Sequence, residues 1–157
     1  MTRASSSRIA DRLHLSYTTL LGLGHLPLAS GTWGSLAAAI LFWFIAGWAL
    51  WIRIMLILVV IVLGIWSSGR AEVLLKRTDP GEVVIDEVAG MWLTLLFISK
   101  TFALYLLAFI LFRIFDVIKP VPINRLQRLP LGWGIMLDDL GAALYSVIIL
   151  QMVNLLL

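Results

Sequence analysis

Residues 36–68 read LAAAILFWFIAGWALWIRIMLILVVIVLGIWSS, and Arg53 is the one charge among them. Arg53 divides the run into two apolar stretches, Leu36–Ile52 and Ile54–Ser68. Continuous apolar runs of this length read as helix, because in lipid every backbone polar group must be satisfied within the segment. A crossing takes roughly 20 residues, and both stretches come close once their flanks are added. Three more stretches follow: Val88–Ser99 and Thr101–Phe112 on either side of Lys100, then Leu140–Leu157. The last also approaches a crossing length. The middle pair is short; it is either extended by Asp86–Glu87 and Arg113–Ile118 or folded as a re-entrant hairpin. The predicted fold is all-α: a polytopic membrane helical bundle with about four to five membrane-embedded helices. It forms one domain over 1–157, with 1–21 as a cytoplasmic or interfacial segment.

Composition agrees. Of the 157 residues, 61% are hydrophobic and 13% charged, and the mean hydropathy is +1.01. Soluble domains carry about 25% charged residues, so the figures exclude a disordered chain and argue against an ordinary water-soluble globule. Seven Trp suit membrane interfaces. The net charge of +3 comes without a basic stretch interleaved with aromatics, so no nucleic-acid partner is expected. Cys is absent, which excludes disulfides, thiolate metal sites, iron–sulfur clusters and a cysteine nucleophile. His14 and His25 are too far apart for a two-histidine zinc motif on one helix. The first sixteen residues, MTRASSSRIADRLHLS, are polar and basic and lack the apolar run of a signal peptide. They are expected to stay in the cytosol.

The charges are distributed unevenly. With a cytoplasmic N-terminus and alternating stretches, the inside holds Arg3, Arg8, Arg12, Arg70, Lys76, Arg77, Arg113, Lys119, Arg125 and Arg128. The outside holds Arg53 and Lys100, as the positive-inside rule demands. All nine carboxylates fall on the same inside face: Asp11, Glu72, Asp79, Glu82, Asp86, Glu87, Asp116, Asp138 and Asp139. Acidic residues contribute little to orientation, so their gathering there points to chemistry. The polar inside loops are Gly69–Ile85, with a turn at Pro80–Gly81, and Ile118–Leu137. In the second, Pro120, Pro122 and Pro130 with Gly132 and Gly134 predict a non-helical path.

Four constellations lie on that side. Residues 22–35, GLGHLPLASGTWGS, offer a Gly31–Ser35 turn feeding a helix N-terminus, where free amides favour an anion and Thr32 and Ser35 add hydroxyls. The plainer alternative is a turn into the helix with Ser35 as its N-cap. Asp86-Glu87 sits where an apolar helix starts; Asp86 as a simple N-cap competes with a site that draws a cation to the membrane border. Arg113, Asp116 and Lys119 recur at i, i+3 and i+6, on one helical face. They suit a phosphate-and-metal site, or else an internally paired stripe. Asp138-Asp139 opens the last apolar helix, as a capping pair or with one carboxylate reaching inward. Hard oxygen ligands without thiolate or imidazole select Mg²⁺ or Mn²⁺. Such a cluster beside Lys and Arg at headgroup level suits phosphoryl chemistry on a lipid.

The residues Gly31-Thr32-Trp33-Gly34-Ser35, Asp86-Glu87 with Gly90-Met91-Trp92, Phe112-Arg113 with Asp116 and Lys119-Pro120, Pro122-Ile123, and Gly134-Ile135-Met136-Leu137-Asp138-Asp139 resemble the bacterial phosphatidylglycerophosphatase A family. The resemblance runs from about Gly22 to about Ala143. Two small-residue departures are Ser30 before Gly31-Thr32, where the family often has Pro, and Gly141-Ala142-Ala143 after the paired aspartates. The resemblance implies Mg²⁺-dependent removal of the terminal phosphate of phosphatidylglycerol phosphate, an anionic phospholipid, at the cytoplasmic side of the inner membrane. On that basis Glu87, Asp138 and Asp139 are expected to hold Mg²⁺, with Asp86 or Asp116 completing or orienting the shell. Arg113 and Lys119 would neutralise the phosphate, and Thr32 with the Gly31–Ser35 amides would bind its oxygens. Water activated by the metal is the expected nucleophile, since the Asp-x-Asp signature of haloacid-dehalogenase-type phosphatases is absent; the alternative is an aspartate, through an aspartyl-phosphate. The rival reading is a small membrane transporter or scaffold with a structural charge cluster. It predicts charges along mid-helix, whereas these gather at one end.

Overall fold

The computed structural model describes residues 2–156, with side chains over 8–153. Arg3, counted above among the inside cations, and Leu157 fall outside the described side chains. Seven helices and no strand occur among the described residues. They are α1 (Thr2–Thr18), α2 (Ser30–Ile45), α3 (Leu50–Leu75), α4 (Ile85–Leu95), α5 (Phe102–Ile118), α6 (Ile123–Leu126) and α7 (Gly132–Leu156), with a short 3-10 turn at Leu23–His25. The all-α class is as expected.

The short helix α4 is the centre of the molecule. Val83 to Met91 are buried without interruption, as are Thr94 and Leu95. Helices α2, α3, α5 and α7 surround it. At 1.5 Å per residue α4 is only about 16 Å long, half the hydrocarbon thickness of a bilayer, so the Val88–Ser99 stretch does not cross. It turns at residues 96–101 into α5, whose first turn is capped by the Thr101 hydroxyl accepting from the Leu104 amide at 3.4 Å. Among the described residues two helices, α3 and the Gly132–Val153 part of α7, are long and apolar enough to span a membrane, fewer than the four to five embedded helices predicted. Only 17% of the apolar window of α3 is buried. Contiguous exposed apolar surface of that extent marks a membrane or partner face, and the two helices point to membrane association.

Several boundaries differ from those read in the sequence. Arg53 does not separate two helices. It lies in the first turn of α3, and its long stem carries Nη1 to the carbonyl of Leu96 at 3.2 Å. The break comes earlier, at residues 46–49 around Gly47. At the other end α3 continues through Leu75, so the first polar loop begins at Lys76 rather than Gly69. The second loop, predicted non-helical, holds α6, and Gly132 and Gly134 are already inside α7. Asp138 and Asp139 therefore sit in the second turn of α7 and cap nothing. The polar N-terminal segment is itself helical: α1 packs on α3 through His14 Nδ1 and Ser67 Oγ at 3.0 Å, and through Arg70 and Asp11 at 2.8 Å.

The start of α7 is pressed against α3. A Cβ added at Gly132 would stand 2.0 Å from the Ile65 carbonyl oxygen and 2.7 Å from the Gly69 nitrogen, both backbone atoms that cannot rotate away. Gly132→Ala is accordingly expected to cost about 1–3 kcal/mol, the range for overpacked interiors, and to lower Tm by several degrees in a thermal melt. An unchanged Tm would mean that α7 is free to slide on α3.

Candidate active site

Three helices, α4, α5 and α7, deliver the acidic groups to one end of the bundle. Asp86 and Glu87 occupy the first turn of α4, where exposed amides favour negative charge. The N-cap is Val84, not Asp86. Gly90, one turn further, lets α4 approach its neighbours: a Cβ there would meet the Phe112 ring at 2.6 Å and the Asp139 carbonyl oxygen at 3.0 Å. That contact brings the second turn of α7 level with the first turn of α4. One oxygen each from Asp86, Glu87 and Asp139 then lie within 4.8 Å of one another. All three residues are buried. Asp86 Oδ1, Glu87 Oε2 and Asp139 Oδ2 have no hydrogen-bond partner.

The other two carboxylates are engaged. Asp116 Oδ2 accepts from Arg113 Nη1 at 2.6 Å, the i, i+3 pair foreseen on α5. Asp138 pairs with Lys119 through Oδ2, while its Oδ1 accepts from the Asp139 amide at 3.0 Å. Lys119 thus leaves the α5 stripe. It is the left-handed C-cap of α5, φ 46, and its side chain crosses to α7. Burial works against the charge on Lys119, yet the hydrogen bond and the charge of Asp138 outweigh it and raise its pKa, so it stays an ammonium. The converging trio is therefore Asp86, Glu87 and Asp139. Asp138, expected among the ligands, pairs with Lys119 in this structure.

The α2 segment lies beside this cluster in a different manner from that expected. Gly31 to Ser35 are not a turn before a helix but its first turn and a half, with Ala29 as a left-handed N-cap, φ 55. The amides of Thr32 and Trp33 donate back to the Ala29 carbonyl at 2.8 and 3.3 Å, so they are not aimed at a ligand. Ser35 is no cap. Its hydroxyl donates to the Gly31 carbonyl at 2.8 Å and accepts from Arg113 Nη1 at 3.3 Å. Gly31 belongs to the site because it lacks a side chain: a Cβ would fall 2.1 Å from Glu87 Oε1 and 3.0 Å from Arg113 Nη1. Thr32 is half-buried on the same turn.

Fully ionised, five carboxylates face two cations across this end, an imbalance of three negative charges in a largely buried place. Buried charge without a partner is strongly unfavourable. Three buried carboxylates with oxygens within 4.8 Å of one another, each keeping an unpartnered oxygen, fit a hard divalent cation, which takes such ligands at about 2.0–2.1 Å for Mg²⁺. The guanidinium of Arg113, restrained by Asp116 and Ser35, and the ammonium of Lys119 flank the trio and suit phosphate oxygens. What the sequence did not disclose is a groove between α2 and α5. Its lining residues are the same apolar types that face lipid elsewhere, so composition and spacing carry no signal for it.

Comparison with known proteins is consistent with this geometry. The family model for phosphatidylglycerophosphatase A matches residues 16–154. A phosphatidylglycerophosphatase A of Haemophilus influenzae is 39% identical over 132 residues, covering 82% of this chain and 80% of the relative. That of Escherichia coli is 35% identical over 136 residues, covering 85% and 78%. A Bacteroides thetaiotaomicron protein, provisionally named a phosphatidylinositol-3-phosphatase, is 35% identical over 140 residues, covering 84% and 87%. No solved structure matches significantly. With its motifs falling on the converging side chains, and with this extent of similarity, the chain belongs to the phosphatidylglycerophosphatase A family.

Proposed function

We propose that this enzyme is a Mg²⁺-dependent lipid phosphatase that removes the terminal phosphate of phosphatidylglycerol phosphate and leaves phosphatidylglycerol. In this reading it is a multi-pass protein of the bacterial inner membrane, with its active site on the cytoplasmic side. One observation carries the proposal: one carboxylate oxygen each of buried Asp86, Glu87 and Asp139 lies within 4.8 Å of the others, and each of these side chains keeps an oxygen without a hydrogen-bond partner, beside Arg113 and Lys119. Family membership supports the substrate, and the exposed apolar face of α3 supports the membrane.

Asp86, Glu87 and Asp139 would hold the ion. When bound it supplies the positive charge that phosphoryl oxygens require during displacement. The remaining work falls to the chain's own groups. Arg113 presents its fork to two phosphate oxygens, and Asp116 and Ser35 fix the plane of that fork. Lys119 contributes a second cation and is held over the site by Asp138. Gly31 leaves the space in which Glu87 and Arg113 approach each other to 3.9 Å. Water attacks phosphorus and the glycerol oxygen departs.

Purified protein should release phosphate from phosphatidylglycerol phosphate, stop on addition of EDTA and resume with Mg²⁺. Phosphatidylinositol 3-phosphate belongs in the same panel, since one relative bears that activity in its name. A faster rate on the inositol lipid would transfer the assignment to that substrate, and no release from either would leave the transporter or scaffold reading standing. No borohydride-reducible acyl phosphate is expected on Asp116 or Asp138. Trapping one would replace water by an aspartate as nucleophile.

A further inference from the structure

The bundle has an apolar groove of about 360 Å³ between α2 and α5. Its floor includes Ala39, Trp43 and Tyr105, and the two rings meet edge-on at 4.9 Å. Exposed Ile40 and Leu106 line it on the two helices. Along α2 it extends from Leu36 to Phe44, eight helical steps or about 12 Å.

Three features identify its occupant. The first is continuity with the site. Ser35 and Arg113 are 3.3 Å apart; Ser35 immediately precedes the first groove residue of α2, and Arg113 lies one turn beyond Phe109, the last groove residue of α5. The groove therefore begins where the phosphate-binding cation stands. The second is polarity: at the far end Lys100 lies 4.9 Å over the Trp43 ring, so the apolar track runs between two charged ends. The third is size. Its volume is at the low end for ligand sites and suits one hydrocarbon chain rather than two.

We propose that this groove seats one acyl chain of the phospholipid whose headgroup phosphate lies against Arg113 and the carboxylate trio. The inference rests on the lipid-phosphatase reading above. A chain moving from bilayer to groove gains little from the hydrophobic effect, since lipid is already apolar. The groove instead sets depth and orientation. A chain held along α2 and α5 fixes how far the phosphate extends past Ser35, and such positioning converts directly into rate.

The test uses the full chain in phosphatidylcholine nanodiscs containing phosphatidylglycerol phosphate with a diazirine at mid-chain. After photolysis, mass spectrometry should find label on groove residues such as Ala39, Ile40 and Leu106 severalfold above that on Leu58 and Val62, on the exposed face of α3. Excess unlabelled phosphatidylglycerol phosphate should remove the groove label and leave the α3 label. Ala39→Phe, which fills the floor, should lower groove labelling severalfold with α3 labelling retained. Equal labelling of both faces, or groove labelling untouched by competitor, overturns the proposal. So does efficient disulfide dimerisation of Phe44→Cys in a chain otherwise free of cysteine, which would put a second copy in the groove. Phosphate release from the same nanodiscs is followed in parallel. Release without groove labelling sinks the groove alone, whereas no release sinks the phosphatase reading.

Discussion

Asp139→Asn should lower phosphate release by more than about a hundredfold, because even outer-shell partners of a metal cost 10–100-fold when replaced and Asp139 supplies one of the three converging carboxylates. The same substitution should leave the magnesium-free protein at least as stable as the parent. Asp139 is 3% exposed, and its Oδ2 has neither cation nor hydrogen-bond donor. Replacing one of three crowded carboxylates by a neutral amide of the same shape relieves repulsion in a buried place. Magnesium reverses the ranking. A ligand at 100 times its Kd stabilises the folded state by about 2.7 kcal/mol, and the parent should show that gain as a rise in Tm. The variant, with one ligand replaced by an amide, should respond weakly. Thermal melts with EDTA and with Mg²⁺, run on both proteins, separate a metal ligand from a merely structural acid. A variant that matches the parent's magnesium response, or that still turns over, removes Asp139 from the ligand set. Glu87→Ala should behave alike in activity.

How much of this was legible beforehand depends on the range of the interaction. The i, i+3 pairing of Arg113 with Asp116 is local and could be read from spacing. The acid pair at the start of α4 was visible because two carboxylates interrupt an apolar run. The partner of Lys119 was not: its spacing placed it over Asp116, and only the left-handed turn at the end of α5 sends it to Asp138 on another helix. Helix limits failed for a related reason. Arg53 looks like a boundary in a list of charges, yet a flexible stem that reaches the Leu96 carbonyl lets it ride inside α3. Proline and glycine between 120 and 134 suggested an irregular loop, but Gly132 and Gly134 serve close packing. A Cβ at Gly134 would stand 2.5 Å from the Leu129 carbonyl oxygen. Glycine marks a need for space as readily as a need for a turn, and sequence alone does not say which.

Gly31 puts that distinction to the test. It lies in the first turn of α2, where alanine has the better helix propensity by roughly 0.8–1.0 kcal/mol in a helix interior. On propensity alone Gly31→Ala should stabilise. The structure predicts a different readout. The added methyl would fall 2.1 Å from Glu87 Oε1 and 3.0–3.2 Å from the two terminal nitrogens of Arg113, which are ends of side chains rather than backbone. Side-chain ends can yield, so Tm should hold or rise slightly. They cannot yield without moving a carboxylate of the trio and the guanidinium that faces the phosphate. A displacement of about 1 Å in such groups is enough to cost a hundredfold in rate, and kcat for phosphate release should fall on that scale. The magnesium-dependent rise in Tm should shrink with it, because Glu87 is shared by the metal trio and the contact. Gly132→Ala is the mirror image: there the obstruction is backbone, so stability should fall first. Full activity in Gly31→Ala would mean that Glu87 and Arg113 do not need their observed positions, and the phosphate would have to be held elsewhere.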